Sequence, residues 1–265
     1  MRYNLHTHTK RCHHATGEDR EYVENAIQAG IQVLGFSDHC PQFFKKDNYY
    51  SFFRMKPEEV DDYVQSVLSL KKEYEKDIKI HLGFETEYYP QCFDSLLRFI
   101  KPYGFDYMIL GQHFIGNEYD EVKYYDRSGE RGLKFLNQYV SQVKEGIATG
   151  AFTYVAHPDI FDYNGSKKFY EAYDNKAREL CRFAKEHDVP LEYNMLGYLN
   201  GRSYPSQRFW KIVAETGNKV VIGYDAHQPE ALLNDNAFHE CRKKLQSVGI
   251  TTVDFEEIRL RNEVL

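Results

Sequence analysis

The chain has 265 residues, 42% of them hydrophobic and 28% charged, which is enough apolar material for a full core in one large domain or two small ones. A formal net charge of -6 argues against a protein built to grip a nucleic-acid backbone, and no apolar run is long enough to span a membrane. The opening MRYNLHTHTK lacks an apolar signal core, and the five scattered cysteines (Cys12, Cys40, Cys92, Cys181, Cys241) contain no CxxC, so a disulfide framework or thiolate zinc site is not expected and a cytoplasmic location is.

In chain order, short apolar runs alternate with amphipathic stretches. Strands are predicted at Tyr3–Leu5, Val33–Ser37, Ile78–Phe84, Tyr107–Leu110, Phe152–Ala156, Leu191–Tyr193 and Val220–Tyr224, with a further one at Thr251–Phe255. A helix is predicted over Glu58–Lys76, where Val60, Tyr63, Val64, Val67 and Leu68 recur at helical spacing. Another is predicted over Gly132–Gly150, with Phe135, Tyr139, Val143 and Ile147 on one face and Gly150 as the stop. Lys167–His187, Ser206–Glu215 and Pro229–Ser247 also read as helices. This alternation implies a parallel sheet with helical crossovers, and about seven or eight such units suit a TIM-like barrel. An open doubly wound sheet is the runner-up. No repeat or low-complexity linker divides the chain, so residues 1–265 are expected to form a single domain.

Nearly every predicted strand ends in a side chain able to bind metal. Leu5 leads into His6-Thr7-His8, Ser37 into Asp38-His39 and Phe84 into Glu85. Leu110 leads into Gly111-Gln112-His113, Ala156 into His157 and Tyr224 into Asp225-Ala226-His227. In a parallel barrel all C-terminal strand ends lie on one face, so residues far apart in sequence converge there. A spacing of two along a strand, as in His6/His8 and Asp225/His227, points both side chains the same way. Imidazole and carboxylate ligands suit zinc, iron or manganese. The remaining histidines break the pattern: His187 falls at a predicted helix end, His239 inside a helix and His81 deeper on its strand. His13 adjoins His14 in the first loop, and spacing alone does not choose between them.

Together, LHTHTKRCHHATG, GFSDHC, LGFETEYYP, GQHF, YVAHPD and GYDAH resemble, in order along residues 6 to 227, the polymerase and histidinol phosphatase (PHP) family of metal-dependent phosphoesterases. The resemblance implies an α/β fold, a distorted TIM-like barrel of seven βα units, and three divalent metal ions: zinc, manganese and/or iron. It implies that His6, His8, Glu85 and Asp225 hold the first metal. Glu85, bridging, would hold the second with His113 and His157, and His14, His39 and His227 would hold the third. The family's offset of six after His8 selects His14 over His13. Cys-x-His in CHH, the GFETEYYP segment and LEYNMLGYLNGRSYPS are most similar to the family's stand-alone histidinol-phosphate phosphatases, which implies hydrolysis of L-histidinol phosphate to L-histidinol and phosphate. That branch commonly has Gly-Leu-Arg after the Asn; here Gly197-Tyr198-Leu199 follows Asn194-Met195-Leu196, and Arg202 comes three residues later.

Such a site implies in-line attack by a hydroxide bridging the first two metals. Asp225 is the first candidate to move protons as a catalytic residue and His227 the second. Arg202 is the candidate phosphate clamp, because a guanidinium fork matches two phosphoryl oxygens, and Arg54 is the second. Lys10 and Arg11 could also face the anion. Asp38, Glu87 and Asn194 are candidates to orient the ligands, Glu118 and Asp120 to meet a substrate amine, and Cys12 and Cys40 to pack. The expected partner is a small-molecule phosphate ester, with no nucleic acid and no membrane; homo-oligomerisation is left open. The competing readings are a protein-tyrosine phosphatase or nucleotide phosphodiesterase of the same family, a metal-dependent amide or lactone hydrolase, and a non-catalytic metal-binding domain.

Overall fold

The computed structural model describes residues 2–46, 49, 51–119, 129–161 and 167–265. Four parallel strands pair in chain order: β1 (Tyr3–Asn4), β2 (Val33–His39), β3 (Lys79–Thr86) and β4 (Tyr107–Leu110). β5 (Leu191–Asn194) pairs in parallel with β6 (Val220–Gly223). Single parallel bridges join the two groups into a ring. Val155 pairs with Leu110 on one side and Leu191 on the other, and Thr7 pairs with Ala226. The linking bonds run from Ala156 N–H to Leu110 O (2.9 Å), Glu192 N–H to Val155 O (2.9 Å) and His8 N–H to Ala226 O (2.9 Å). The strand expected at Phe152–Ala156 is therefore the seventh stave, reduced to one bridged residue. The whole is the distorted seven-stranded α/β barrel that the family resemblance implied, and it decides against the open doubly wound sheet that the strand–helix rhythm had left as runner-up.

The period-two alternation of strand side chains sorts two cores. Leu34, Phe36, Ile80, Leu82, Phe84, Met108 and Leu110 pack outward against the helices. Val33, Tyr107, Ile109, Tyr154, Ala156 and Val221 fill the barrel, joined by Tyr3 and Leu5. Tyr107 lies over Gly35 and Gly83, where a β-carbon would meet its ring, and its hydroxyl donates to the Leu5 carbonyl at 2.8 Å. Thr251–Phe255, expected as a strand, is not one. The chain crosses beneath the barrel instead: Val253 O accepts from Tyr3 Oη at 2.8 Å, and Phe255 and Ile258 close the interior. This short apolar run is a plug, a role that period-two patterning cannot separate from a strand.

The helices described are α1 (Asp19–Gln28), α2 (Val60–Glu73), α3 (Pro90–Ile100), α4 (Gly129–Ala148), α5 (Tyr170–Glu186), α6 (Met195–Leu199), α7 (Gln207–Thr216) and α8 (Asp235–Ser247). On α4 the four predicted core residues are buried, and Gly150, at φ 74, ends the turn by donating to Ile147 O. On α2, Leu68 is 43% exposed and Leu70 is buried in its place. Each i+4 step advances about 40° round a helix, so two in succession carry Leu68 off the stripe that starts at Val60. The sequence pattern passed over α1, whose buried residues include only Tyr22, Val23 and Ala26 as apolar ones. It also passed over α3, which begins with Pro90 at a position where the missing N–H costs nothing. Among the described residues no helix is long and apolar enough to cross a membrane.

Candidate metal centre

The C-terminal ends of the staves deliver the predicted ligands to one mouth of the barrel. β2 ends in His39 and β3 carries Glu85 directly opposite it in register. The bridged segment hands on to His157 and β6 to Asp225, and both adopt positive φ (29 and 52). That conformation is uncommon outside glycine and costs of order 1–3 kcal/mol, which packing elsewhere must sustain. It breaks the strand alternation just where these side chains enter the mouth.

Glu85 is the hub. Its Oε1 lies 2.8 Å from His157 Nε2 and 3.6 Å from His113 Nε2; its Oε2 lies 3.1 Å from His39 Nδ1 and 3.4 Å from both His6 Nε2 and His8 Nε2. Asp225 Oδ1 faces His8 Nε2 at 3.1 Å, His227 Nδ1 at 3.3 Å and His6 Nε2 at 3.4 Å. His14 Nε2 approaches His227 Nε2 at 3.0 Å, and the His39 ring lies beside that of His14, tilted by 30° with the centroids 5.2 Å apart. Among the described residues five groups of ligand atoms fall within 4.8 Å of one another: His6/His8/Asp225, His6/Glu85/His157, His14/His39/His227, His8/His39/Glu85 and His8/Cys12/His227. Phe53, Phe114, Arg202 and Tyr204 share with them the walls of a cleft of about 500 Å³, which suits a small molecule.

This donor set fits cations. His6 Nε2, His8 Nε2 and His39 Nδ1 are buried, have no hydrogen-bond partner, and face carboxylate oxygens at 3.1 to 3.4 Å. Such orphaned groups are costly unless something occupies the space between them. The electrostatics agree. Burial lowers the pKa of His6, but Glu192, Asp225 and Glu85 outweigh it and raise it to about 10. His8 is raised in the same way, burial being overcome by Asp225 and Asp38. Glu85 and Asp225 stay well below the usual carboxylate range because the surrounding histidines outweigh their burial. This half of the centre attracts positive charge. Burial, followed by the charge of His8, pushes His227 down to about 3, and burial lowers His14 and His39 too, so this trio stays neutral with lone pairs to give.

The orienting partners are built as the sequence suggested, with one addition. Asp38 Oδ1 lies 3.4 Å from His8 Nδ1 while its other oxygen accepts from Thr9 Oγ1. His113 Nδ1 lies 2.9 Å from Glu87 Oε1. Glu87 is held at about 2, its burial outweighed first by Arg54 and then by His113. Asn194 donates to Asp225 Oδ2 at 3.1 Å. Glu192, which the strand-end pattern passed over, is fully buried and takes His6 Nδ1 at 2.7 Å. A charged residue inside an apolar strand run was the available signal.

The remaining candidates divide. His13 points away, its Nε2 3.4 Å from Glu59, leaving His14 at the centre. Arg202 is exposed at the cleft wall, and its NH1 donates to Tyr204 Oη at 2.6 Å. Arg54, expected as a second phosphate clamp, is 3% exposed and committed elsewhere. Its guanidinium bonds Glu87 at 2.9 and 3.0 Å, Glu118 at 3.0 and 2.5 Å and Cys40 O at 2.9 Å, which uses all five N–H donors. It steadies Glu87 rather than reaching substrate, and it takes Glu118 out of the pool of amine-binding acids. Asp120 lies outside the described residues. Lys10 pairs with Glu18, and Arg11 with Asp19 and Asp62, so neither faces the cleft. Cys40 packs in the core as expected. Cys12 is equally buried, but its sulfur lies within 4.8 Å of ligand atoms of His8 and His227.

The chain is similar to known proteins along most of its length. The "Probable histidinol-phosphatase" of Deinococcus radiodurans is 27% identical over 260 residues, covering 97% of this chain and 97% of that protein. The histidinol-phosphatase of Bacillus subtilis is 25% identical over 254 residues, covering 84% of this chain and 92% of that one. The crystal structure of histidinol phosphate phosphatase from Lactococcus lactis, complexed with zinc, L-histidinol and phosphate, superposes with a TM-score of 0.73 at 19% identity, covering 95% of each chain, which is a likeness of fold. The PHP domain model matches residues 4–195, which carry every strand but the last and seven of the nine proposed ligands, and the chain belongs to the PHP family.

Proposed function

We propose that residues 1–265 form one metal-dependent phosphomonoesterase that hydrolyses L-histidinol phosphate to L-histidinol and phosphate. The observation that carries the phosphoesterase reading is Glu85 set among five imidazoles, one of which, His39, it shares with a neighbouring trio completed by His14 and His227. The choice of substrate is supported by family membership and by relatives of that name that match nearly end to end.

His6, His8, Glu85 and Asp225 would hold a first divalent cation, Glu85, His113 and His157 a second, and His14, His39 and His227 a third; zinc, manganese and iron all suit these donors. When bound, the cations neutralise phosphoryl oxygens and lower the pKa of water enough to supply hydroxide near neutral pH. Arg202, exposed at the cleft wall, presents its guanidinium to the phosphoryl group, and Tyr204 accepts one of its N–H groups and sets its direction. Asp225 Oδ1, turned into the cleft, takes the proton from the attacking water and returns it to the alcohol oxygen as the P–O bond breaks. Asn194 holds the other oxygen of Asp225 and keeps that geometry. The stacked rings of Phe53 and Phe114, 5.2 Å apart, offer a flat apolar wall to an imidazole leaving group.

The test is phosphate release from L-histidinol phosphate by protein reconstituted separately with zinc, manganese and iron(II), beside a phosphotyrosine peptide and bis(p-nitrophenyl) phosphate. Chelator-sensitive turnover favouring L-histidinol phosphate is expected. Preference for either comparator would move the chain to another activity of the family, and inertness towards all three would leave a non-catalytic metal-binding domain.

A further inference from the structure

We propose that Glu192 is a positioning residue that fixes the first and second metal positions together. The inference rests on the metal reading above. Glu192 lies on β5, is fully buried and does not line the cleft. Its two oxygens serve three donors. Oε1 lies 2.7 Å from His6 Nδ1, while Oε2 accepts from the backbone N–H of His157 and from Asn194 Nδ2, each at 3.0 Å. The same Asn194 amide reaches Asp225 Oδ2 at 3.1 Å, and its carbonyl accepts from Gly197 N–H at 2.8 Å, which fixes which end of the amide is which.

Oε1 accepts from His6 Nδ1, so the nitrogen left to hold a cation is Nε2, which lies on the side of Glu85 and Asp225. The bond to the His157 N–H pins the residue whose φ of 29 turns it into the mouth. Asp38 and Glu87 each steady one histidine ring; Glu192 reaches members of two metal groups and, through Asn194, a third side chain. The fold makes room for it: a β-carbon on Gly223, across the parallel pair, would stand 2.9 Å from Glu192 Cγ and closer still to the carboxylate.

The isosteric change Glu192→Gln isolates the effect. A glutamine amide has one acceptor oxygen for three donors, so its NH2 must face at least one N–H. Zinc alone is the probe, with affinity read by competition against a chromophoric chelator and bound metal counted after dialysis at limiting chelator. The wild type is expected to retain three zinc ions per chain. E192Q should bind those at the first two positions ~10–100-fold more weakly and retain only the zinc held by His14, His39 and His227. Ring-labelled ¹⁵N-histidine NMR of the zinc-loaded wild type should show His6 protonated at Nδ1, a readout that does not depend on any variant folding. Three zinc ions bound to E192Q at unchanged affinity, or a His6 proton on Nε2 in the wild type, would overturn the proposal alone. A wild type that takes up no zinc would overturn the metal reading as well.

Discussion

Gly111 follows β4, and its backbone is not among those with positive φ, so alanine is tolerated by the main chain. The space is not: a β-carbon there would lie 2.5 Å from Glu85 Cδ and 2.7 Å from Cγ, where ordinary contact begins at 3.4 Å. In Gly111→Ala the carboxylate carbon must retreat by about 0.9 Å, from 2.5 to 3.4 Å, and the nearer oxygen further still. A misplacement of roughly 1 Å at a reacting centre costs on the order of 100-fold in rate. Overpacking of this kind costs about 1–3 kcal/mol, which for a domain of this size lowers Tm by roughly 2–12 °C. The variant should therefore remain folded at 25 °C, lose zinc at the two positions that share Glu85, and show kcat reduced ~100-fold or more. Metal counting, a thermal melt and the phosphate-release assay read all three. Gly150→Ala is the control: its φ of 74 strains an alanine, but nothing lies within 4 Å of the new methyl, so it should cost about 1–2 kcal/mol and leave kcat unchanged. Full zinc occupancy with kcat within threefold of wild type in Gly111→Ala would refute the placing of Glu85 at the centre.

Other consequences are simpler to read. His14→Ala should lower the metal count by one per chain, whereas His13→Ala, at a side chain 3.4 Å from Glu59 and turned from the cleft, should leave it at three. Arg202→Ala should reduce kcat/KM for the phosphate ester by roughly 10–100-fold with Tm little changed, since the side chain is exposed. Arg54→Ala should do the opposite: it strands the buried carboxylates of Glu87 and Glu118 and should cost ~3–5 kcal/mol of unfolding free energy in a urea titration. Asp106 adds a pH dependence away from the site. Burial raises its pKa, but His81, the Leu82 N–H and Lys71 outweigh this and hold it well below its ordinary 3.8. Its contribution to stability is complete above that ordinary value and is lost as pH falls below it, so Asp106→Asn should lower the urea midpoint at pH 7 and flatten its fall below about pH 4. Equal acid sensitivity in the two proteins would discard this account.

The amino-acid sequence by itself determined the barrel's rhythm and the identity of the metal-capable residues, because apolar periodicity is local and because a side chain at the end of a parallel strand inherits its position from topology. Glu85, His39 and Asp225 were legible for that reason. Neighbours one residue apart were harder: spacing alone left His13 and His14 open, the family resemblance favoured His14, and the left-handed turn at His13 (φ 65) accompanies the turn of the His13 ring towards Glu59. Other features were decided only by the tertiary structure. Arg54 reads in sequence like any cation, and its role was set by Glu87 and Glu118, which lie 33 and 64 residues away and, with the Cys40 carbonyl, exhaust its donors. Glu192 sits in a run that reads as ordinary strand, and it matters because Gly223 of the next strand leaves it room beside His6, 186 residues distant. Thr251–Phe255 has strand composition and became a plug, because the barrel was already closed by the pairing of Thr7 with Ala226 and its lower end still needed covering. Local pattern records what a residue can do; which of those capacities is used depends on partners that only folding brings within reach.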